Sequence, residues 1–170
     1  MSYQNYQTAI KLIDNNVNII TISKFPQTEE DIKKAENILS VFFPKSYRDF
    51  LKKYGTLGVM GAEIYGFKTV DYSKYVYSNI ICRTLDEREI NRDLGFLKTF
   101  IPIYDLGNGE LFCLDTSKIN VENECPLVCW SFGNIESISD EFGEDFGDFF
   151  LYEVKKGLQQ LELEGKKVNW

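Results

Sequence analysis

The chain has 170 residues, with 19 Lys and Arg against 26 Asp and Glu, giving a net charge of −7 at pH 7. Hydrophobic residues make up 44% and charged residues 26%, too apolar for a disordered chain and enough for one domain with a buried core. There is no histidine, which excludes Ser-His and Cys-His nucleophile pairs, imidazole metal ligands and histidine acid–base chemistry.

In chain order, Tyr6, Ile10 and Ile13 share one face of a first helix that ends at Asp14-Asn15-Asn16. Residues 17–22 are β-branched and predict an extended segment. Thr28 is a good N-cap, Asp31 three residues later approximates a capping box, and Glu29 and Glu30 complement the dipole. Ile32, Ala35, Ile38, Leu39 and Phe42 carry that helix to about Phe42. Pro44 then opens a short helix at its first position, with Tyr47, Phe50, Leu51 and Tyr54 on one face and Gly55 as its left-handed stop.

Gly58 and Gly61 mark turns, and residues 62–67 read as a short strand. The glycines lack the spacing of a phosphate loop or a dinucleotide fold. Residues 84–94 predict a helix with an exposed mixed-charge face. Residues 100–104 and 111–114 flank Gly107-Asn108-Gly109 as a β-hairpin, and residues 126–130 form a third strand. Phe142, Phe146, Phe149, Phe150 and Val154 recur at helical spacing in a closing helix, which Gly143 delays to about Asp145. Residues 158–170 read as a tail beyond a domain spanning 1–157. The layout is α+β, a single domain with N-terminal helices on a mostly antiparallel sheet and a C-terminal closing helix.

The four cysteines, Cys82, Cys113, Cys125 and Cys129, do not pair by spacing. Cys125 and Cys129 would lie about 13 Å apart along a strand, out of reach of a bridge. Reduced, mostly buried thiols are the expectation. No stretch approaches the roughly 18 consecutive apolar residues of a membrane span, and the start has no signal-like run, so a cytoplasmic location is expected.

Charge is uneven. Residues 1–118 hold 15 basic and 15 acidic side chains, whereas residues 119–154 hold nine acids and no Lys or Arg. The acids are densest between Glu136 and Asp148. They are either a solvated helix start or a docking face for a basic protein. Phosphate binding needs clustered basic residues, and here these are interleaved with acids everywhere except the last 16 residues, so nucleic acid is not an expected partner.

Four stretches, in order, resemble the SUKH superfamily, which includes fungal Smi/Knr cell-wall-assembly regulators and many bacterial immunity proteins. They are Thr28-Glu29-Glu30-Asp31-Ile32 with Leu39; Phe43-Pro44-Lys45-Ser46-Tyr47-Arg48-Asp49-Phe50-Leu51 with Tyr54-Gly55; Phe100-Ile101-Pro102-Ile103 with the Gly107-Asn108-Gly109 turn and Cys113-Leu114-Asp115; and Cys125-Pro126-Leu127-Val128-Cys129-Trp130 with Phe146-Gly147-Asp148-Phe149-Phe150. The resemblance covers about residues 26–155 and is similar to the short bacterial YobK-like immunity type. It implies packing roles for Pro44, Tyr47, Phe50, Leu51, Gly55 and Trp130. It carries over no catalytic residues, cofactor or metal.

What the resemblance implies in function is a non-enzymatic antidote that binds a cognate protein toxin, often a nuclease; the alternative is a regulatory scaffold like the fungal members. The acids Glu136, Asp140, Glu141, Glu144 and Asp145 and the tyrosines Tyr72, Tyr75 and Tyr77 are the candidate partner-binding residues. Glu63, Asp105, Glu110 and Asp115 are the carboxylates an enzyme would use, but their spacing matches no catalytic or metal motif.

Overall fold

Thr28 caps the helix that follows it. Its hydroxyl oxygen accepts from the Asp31 N–H at 3.1 Å, and Glu29, Glu30 and Asp31 occupy the first turn of α2 (Glu29–Leu39), where the dipole favours them. The helix buries Ile32, Ala35 and Leu39 but stops short of Phe42. Ser40 turns left-handed at φ 54°, and Phe42 is 76% exposed. Pro44 disfavours helical backbone at the residue before it, so α2 and α3 (Lys45–Lys53) stay separate. Pro44 itself is the cap of α3 rather than its first helical residue.

Tyr47, Phe50, Leu51 and Tyr54 are all fully buried, as the spacing predicts. The Tyr47 hydroxyl donates to the Tyr65 carbonyl at 2.7 Å, which removes the cost of burying it. Gly55 follows with φ 72°.

The computed structural model describes residues 2–20, 24–59, 61–74, 76 and 78–170. α1 (Ser2–Asn15) buries Tyr6, Ala9, Leu12 and Ile13. The extended segment expected at 17–22 is instead a turn over its first residues: Ile19 and Ile20 both donate to the Asn16 carbonyl, at 3.0 and 3.1 Å. Local hydrogen bonds to the Asn16 carbonyl override the β propensity there. The rest of that segment, residues 21 and 22, lies outside the described residues, as do Tyr75 and Tyr77.

β1 (Leu57–Val59) and β2 (Ala62–Ile64) form a small hairpin. β3 (Phe100–Asp105), β4 (Glu110–Asp115), β5 (Leu127–Ser131) and β6 (Asn134–Ser137) follow as an antiparallel meander in spatial order β3-β4-β5-β6. The Tyr65 N–H donates to the Ile103 carbonyl at 2.8 Å, which ties the hairpin's exit to β3.

α4 (Ile80–Ile90) starts before residue 84 because the Asn79 side chain caps it, accepting from Ile81 N–H at 2.8 Å. Its charged face is not wholly exposed. Glu87 is buried and pairs with Arg83 at 2.9 Å, and Arg83 also reaches Asp105 at 3.1 Å.

β6 is a strand where the sequence predicts an acidic approach to the last helix. Phe132 at φ 42° and Gly133 at φ 96° make a two-residue hairpin turn, and β6 pairs with β5 from Ser131↔Asn134 to Val128↔Ser137. A one-turn α5 (Ser139–Phe142) then leads through Gly143 to α6 (Phe146–Leu163). Asp145 caps α6, accepting from Gly147 N–H at 2.9 Å.

Residues 158–170, expected as a tail, begin inside α6. Leu158 is fully buried, and Asn169 N–H donates to Asn16 Oδ1 at 2.8 Å. One helix face continues past Gly157 onto the core, which the polar composition of the segment conceals.

The fold is α+β. Helices α1, α3 and α6 meet in an aromatic cluster of Tyr6, Tyr47, Phe50, Phe146 and Phe150. A smaller cluster of Phe96, Phe100, Leu111, Cys113, Val128 and Trp130 covers the other sheet face. The four cysteines are unpaired thiols, three of them buried. Among the described residues no helix is long and apolar enough to cross a membrane.

Candidate functional site

The nine acids of residues 119–154 do not form one surface. Three are buried: Glu124, Asp145 and Glu153. Asp145 was an expected docking residue, but as the cap of α6 it faces the helix N-terminus instead. Asp148 is half-buried and accepts from the Asn5 amide at 2.7 Å. The side chain of Asp140 lies outside the described set. Glu122, Glu136, Glu141 and Glu144 remain exposed. Helix caps need short-range carboxylates, so folding consumes part of a run that looks continuous in one dimension.

Glu124 shows how completely a charge can be consumed. It is 1% exposed and accepts from both the Ser46 N–H (3.0 Å) and the Ser46 hydroxyl (2.6 Å). It thus serves the N-terminus of α3 from 78 residues away. Burial pushes its carboxyl above the ordinary value, and the Ser46 hydrogen bonds pull against that. Glu124→Ala is expected to cost about 1–3 kcal/mol, because two donors lose their acceptor in the interior. With its folded pKa raised, this group's contribution is full below the unfolded pKa and is lost as pH rises through the raised value. Stability curves against pH should therefore flatten across that window in Glu124→Gln, as measured by urea midpoints; an unchanged slope would assign the titration elsewhere.

Exposed Glu136 and half-buried Glu110 converge. Glu136 pairs in register with Cys129, and Glu110 with Ser131. Strand alternation places both carboxylates on the same side of the sheet. Together with Glu141 they rim a groove of about 370 Å3 whose floor includes Leu106, Phe112, Cys129 and Phe142. Phe112 and Phe142 meet edge-on at 4.9 Å between ring centres, which makes the floor rigid.

Among the described residues no Lys or Arg lines the groove. Burial, then Glu110 and Glu136, push the Cys129 thiol up to about 11. It is thus protonated and inert at neutral pH, part of an apolar floor rather than a nucleophile.

Glu144 lies apart from that rim, in a separate depression with Lys118, Ile135 and Glu136. Tyr72 is 46% exposed and sits in a loop beside α4, its carbonyl 4.0 Å from Cys82 Sγ. It does not line the groove. Asp105 is engaged by Arg83, Asp115 accepts from Ser117, and Glu63 points outward from β2.

Sequence reasoning gives Glu110 an enzymatic or a turn-and-edge role and does not reach the apolar floor. Its signal was present: the Phe132-Gly133 turn fixes a register that sets Glu136 beside the strand carrying Glu110. The arrangement offers a hydrophobic seat with an anionic rim, suited to a side chain with an alkyl stem and a cationic head.

A family model, SUKH_5, described as SMI1-KNR4 cell-wall, matches residues 7–155. That span includes the whole sheet, the groove and the Pro44 helix.

Proposed function

The chain belongs to the SMI1-KNR4 family of the SUKH group, and from that premise we propose that it is a non-enzymatic binding protein that neutralises a cognate toxin by direct contact. The toxin is a polymorphic or contact-delivered protein with a basic active cleft, as a nuclease has. The chain acts on it in the cytoplasm. The observation that carries this reading is the groove, where Glu110, Glu136 and Glu141 surround an apolar floor with no basic residue among the described lining.

A cleft that holds phosphates is positive, and an anionic rim both steers it and competes with its substrate. The same rim disfavours nucleic acid as a partner for this chain. The alternative, a regulatory scaffold like the fungal cell-wall-assembly regulators, predicts no such preference for a basic partner.

Co-expression with a candidate cognate toxic domain tests the function: cells should survive only when the chain is present. Glu110→Gln, Glu136→Gln and Glu141→Gln together are expected to weaken binding to a basic toxin about tenfold, with most of the loss in association rate. Calorimetry at low and high salt checks this. The native protein should lose affinity with added salt and the triple variant should lose much less. Equal affinities and equal salt slopes would reject the groove as the contact.

A further inference from the structure

A separate cavity of about 290 Å3 lies between the β1–β2 turn, β3 and α6. Its chemistry comes from Glu153. This residue is 4% exposed, yet its only ionic partner among the described residues is Lys156 Nζ at 3.6 Å. That exceeds the direct hydrogen-bond range of about 2.7–3.2 Å. A carboxylate offers roughly four acceptor sites, and the one long contact to Lys156 leaves most of them facing the cavity that Glu153 lines. The Lys156 side chain is 59% exposed, so it can withdraw into water.

We propose that this cavity binds an alkylguanidinium, the head and stem carried by arginine and by small molecules such as agmatine. The buried carboxylate repels an anion. A divalent cation needs several oxygen ligands, and among the described residues no three acidic or thiol side chains are grouped to supply them. A planar guanidinium is weakly hydrated and meets a carboxylate with two parallel hydrogen bonds.

Tyr104 lines the same cavity and offers a ring face for stacking. Its ring is held in place edge-on to Phe149 at 5.4 Å. Among the described residues, Gly61, Ala62 and Gly157 form the remaining wall, and their small size leaves room for the alkyl stem. The Gln160 amide at the rim adds an acceptor for the outer guanidinium N–H groups.

The test is calorimetric titration of the full chain with agmatine and with doubly blocked arginine. Saturable binding of either probe is expected, and Glu153→Gln should weaken it by about tenfold or more. That substitution keeps the shape and removes a charge that burial disfavours. Lys156→Ala, at an exposed position, should strengthen binding by removing the competing ammonium.

Agmatine alone binding would identify a free small molecule as the ligand class. Blocked arginine binding as well would identify a chain-borne side chain. Both outcomes support the site. Absence of saturable binding by both probes overturns it, and so does equal affinity in Glu153→Gln. A fall in affinity in Lys156→Ala overturns it independently of how the Glu153 variant folds.

Discussion

Phe146→Ala is expected to destabilise the protein by about 3–5 kcal/mol, the usual cost of removing a buried aromatic ring. Phe146 is fully buried and lies where three helices meet. Its ring centre is 5.0 Å from Tyr47 and 5.3 Å from Phe50, both edge-on, and 5.6 Å from Phe150 in a stack. Tyr6 of α1 approaches at 6.4 Å. Alanine would leave a cavity that α1, α3 and α6 cannot close together, since each is fixed by other contacts.

Against a total stability of about 5–15 kcal/mol this is a large share, so the melting temperature should fall by roughly 6–20 °C. Denaturant midpoints with an unchanged m-value would confirm a packing loss rather than a new state. A cost below about 1 kcal/mol would mean that the cluster is able to collapse around the missing ring.

Gly66→Ala should be at least as damaging, for a different reason. A Cβ there would lie 1.7 Å from the Gly55 carbonyl oxygen and 2.8 Å from its carbon. Both are backbone atoms, and that oxygen already accepts from Phe67 N–H at 2.9 Å. The Gly66 carbonyl in turn accepts from Ile80 N–H at 2.8 Å.

The chain leaving α3 and the chain leaving β2 therefore cross in contact, and only two glycines allow it. Gly55 adds its own constraint with φ 72°. The expected loss is about 4 kcal/mol or more, seen as low soluble yield and an early denaturation midpoint. Gly58→Ala is the control, since a Cβ there meets nothing within 4 Å among the described residues and should change stability by less than about 1 kcal/mol. Equal behaviour of the two variants would contradict the crossing as the cause.

The candidate site divides in the same way between what is local and what is not. Glu136 and Glu141 stand out as charges in an acidic run, and both reach solvent at the groove. Asp145 and Glu124 stand out equally, and both are spent on helix N-termini. Nothing in the spacing of Glu124 announces that Ser46, on another element, needs an acceptor. Glu110 enters the site only through strand register, and Phe112 and Phe142 only through the packing of α5 against β4.

By itself the sequence determined the parts whose forces act over a few residues. Thr28 starts α2, Pro44 and Gly55 bound α3, Gly107-Asn108-Gly109 turns β3 into β4, and the phenylalanine spacing makes α6 amphipathic. The ordered set of these stretches also marked the family. Tertiary structure alone decided which carboxylates face water, how far the last helix stays packed, and that β6 exists to bring Glu136 to the groove. The physical reason is range: caps, turns and periodicity are satisfied within a turn or a strand. The burial of a charge depends on donors that arrive from tens of residues away, as Ser46 does for Glu124.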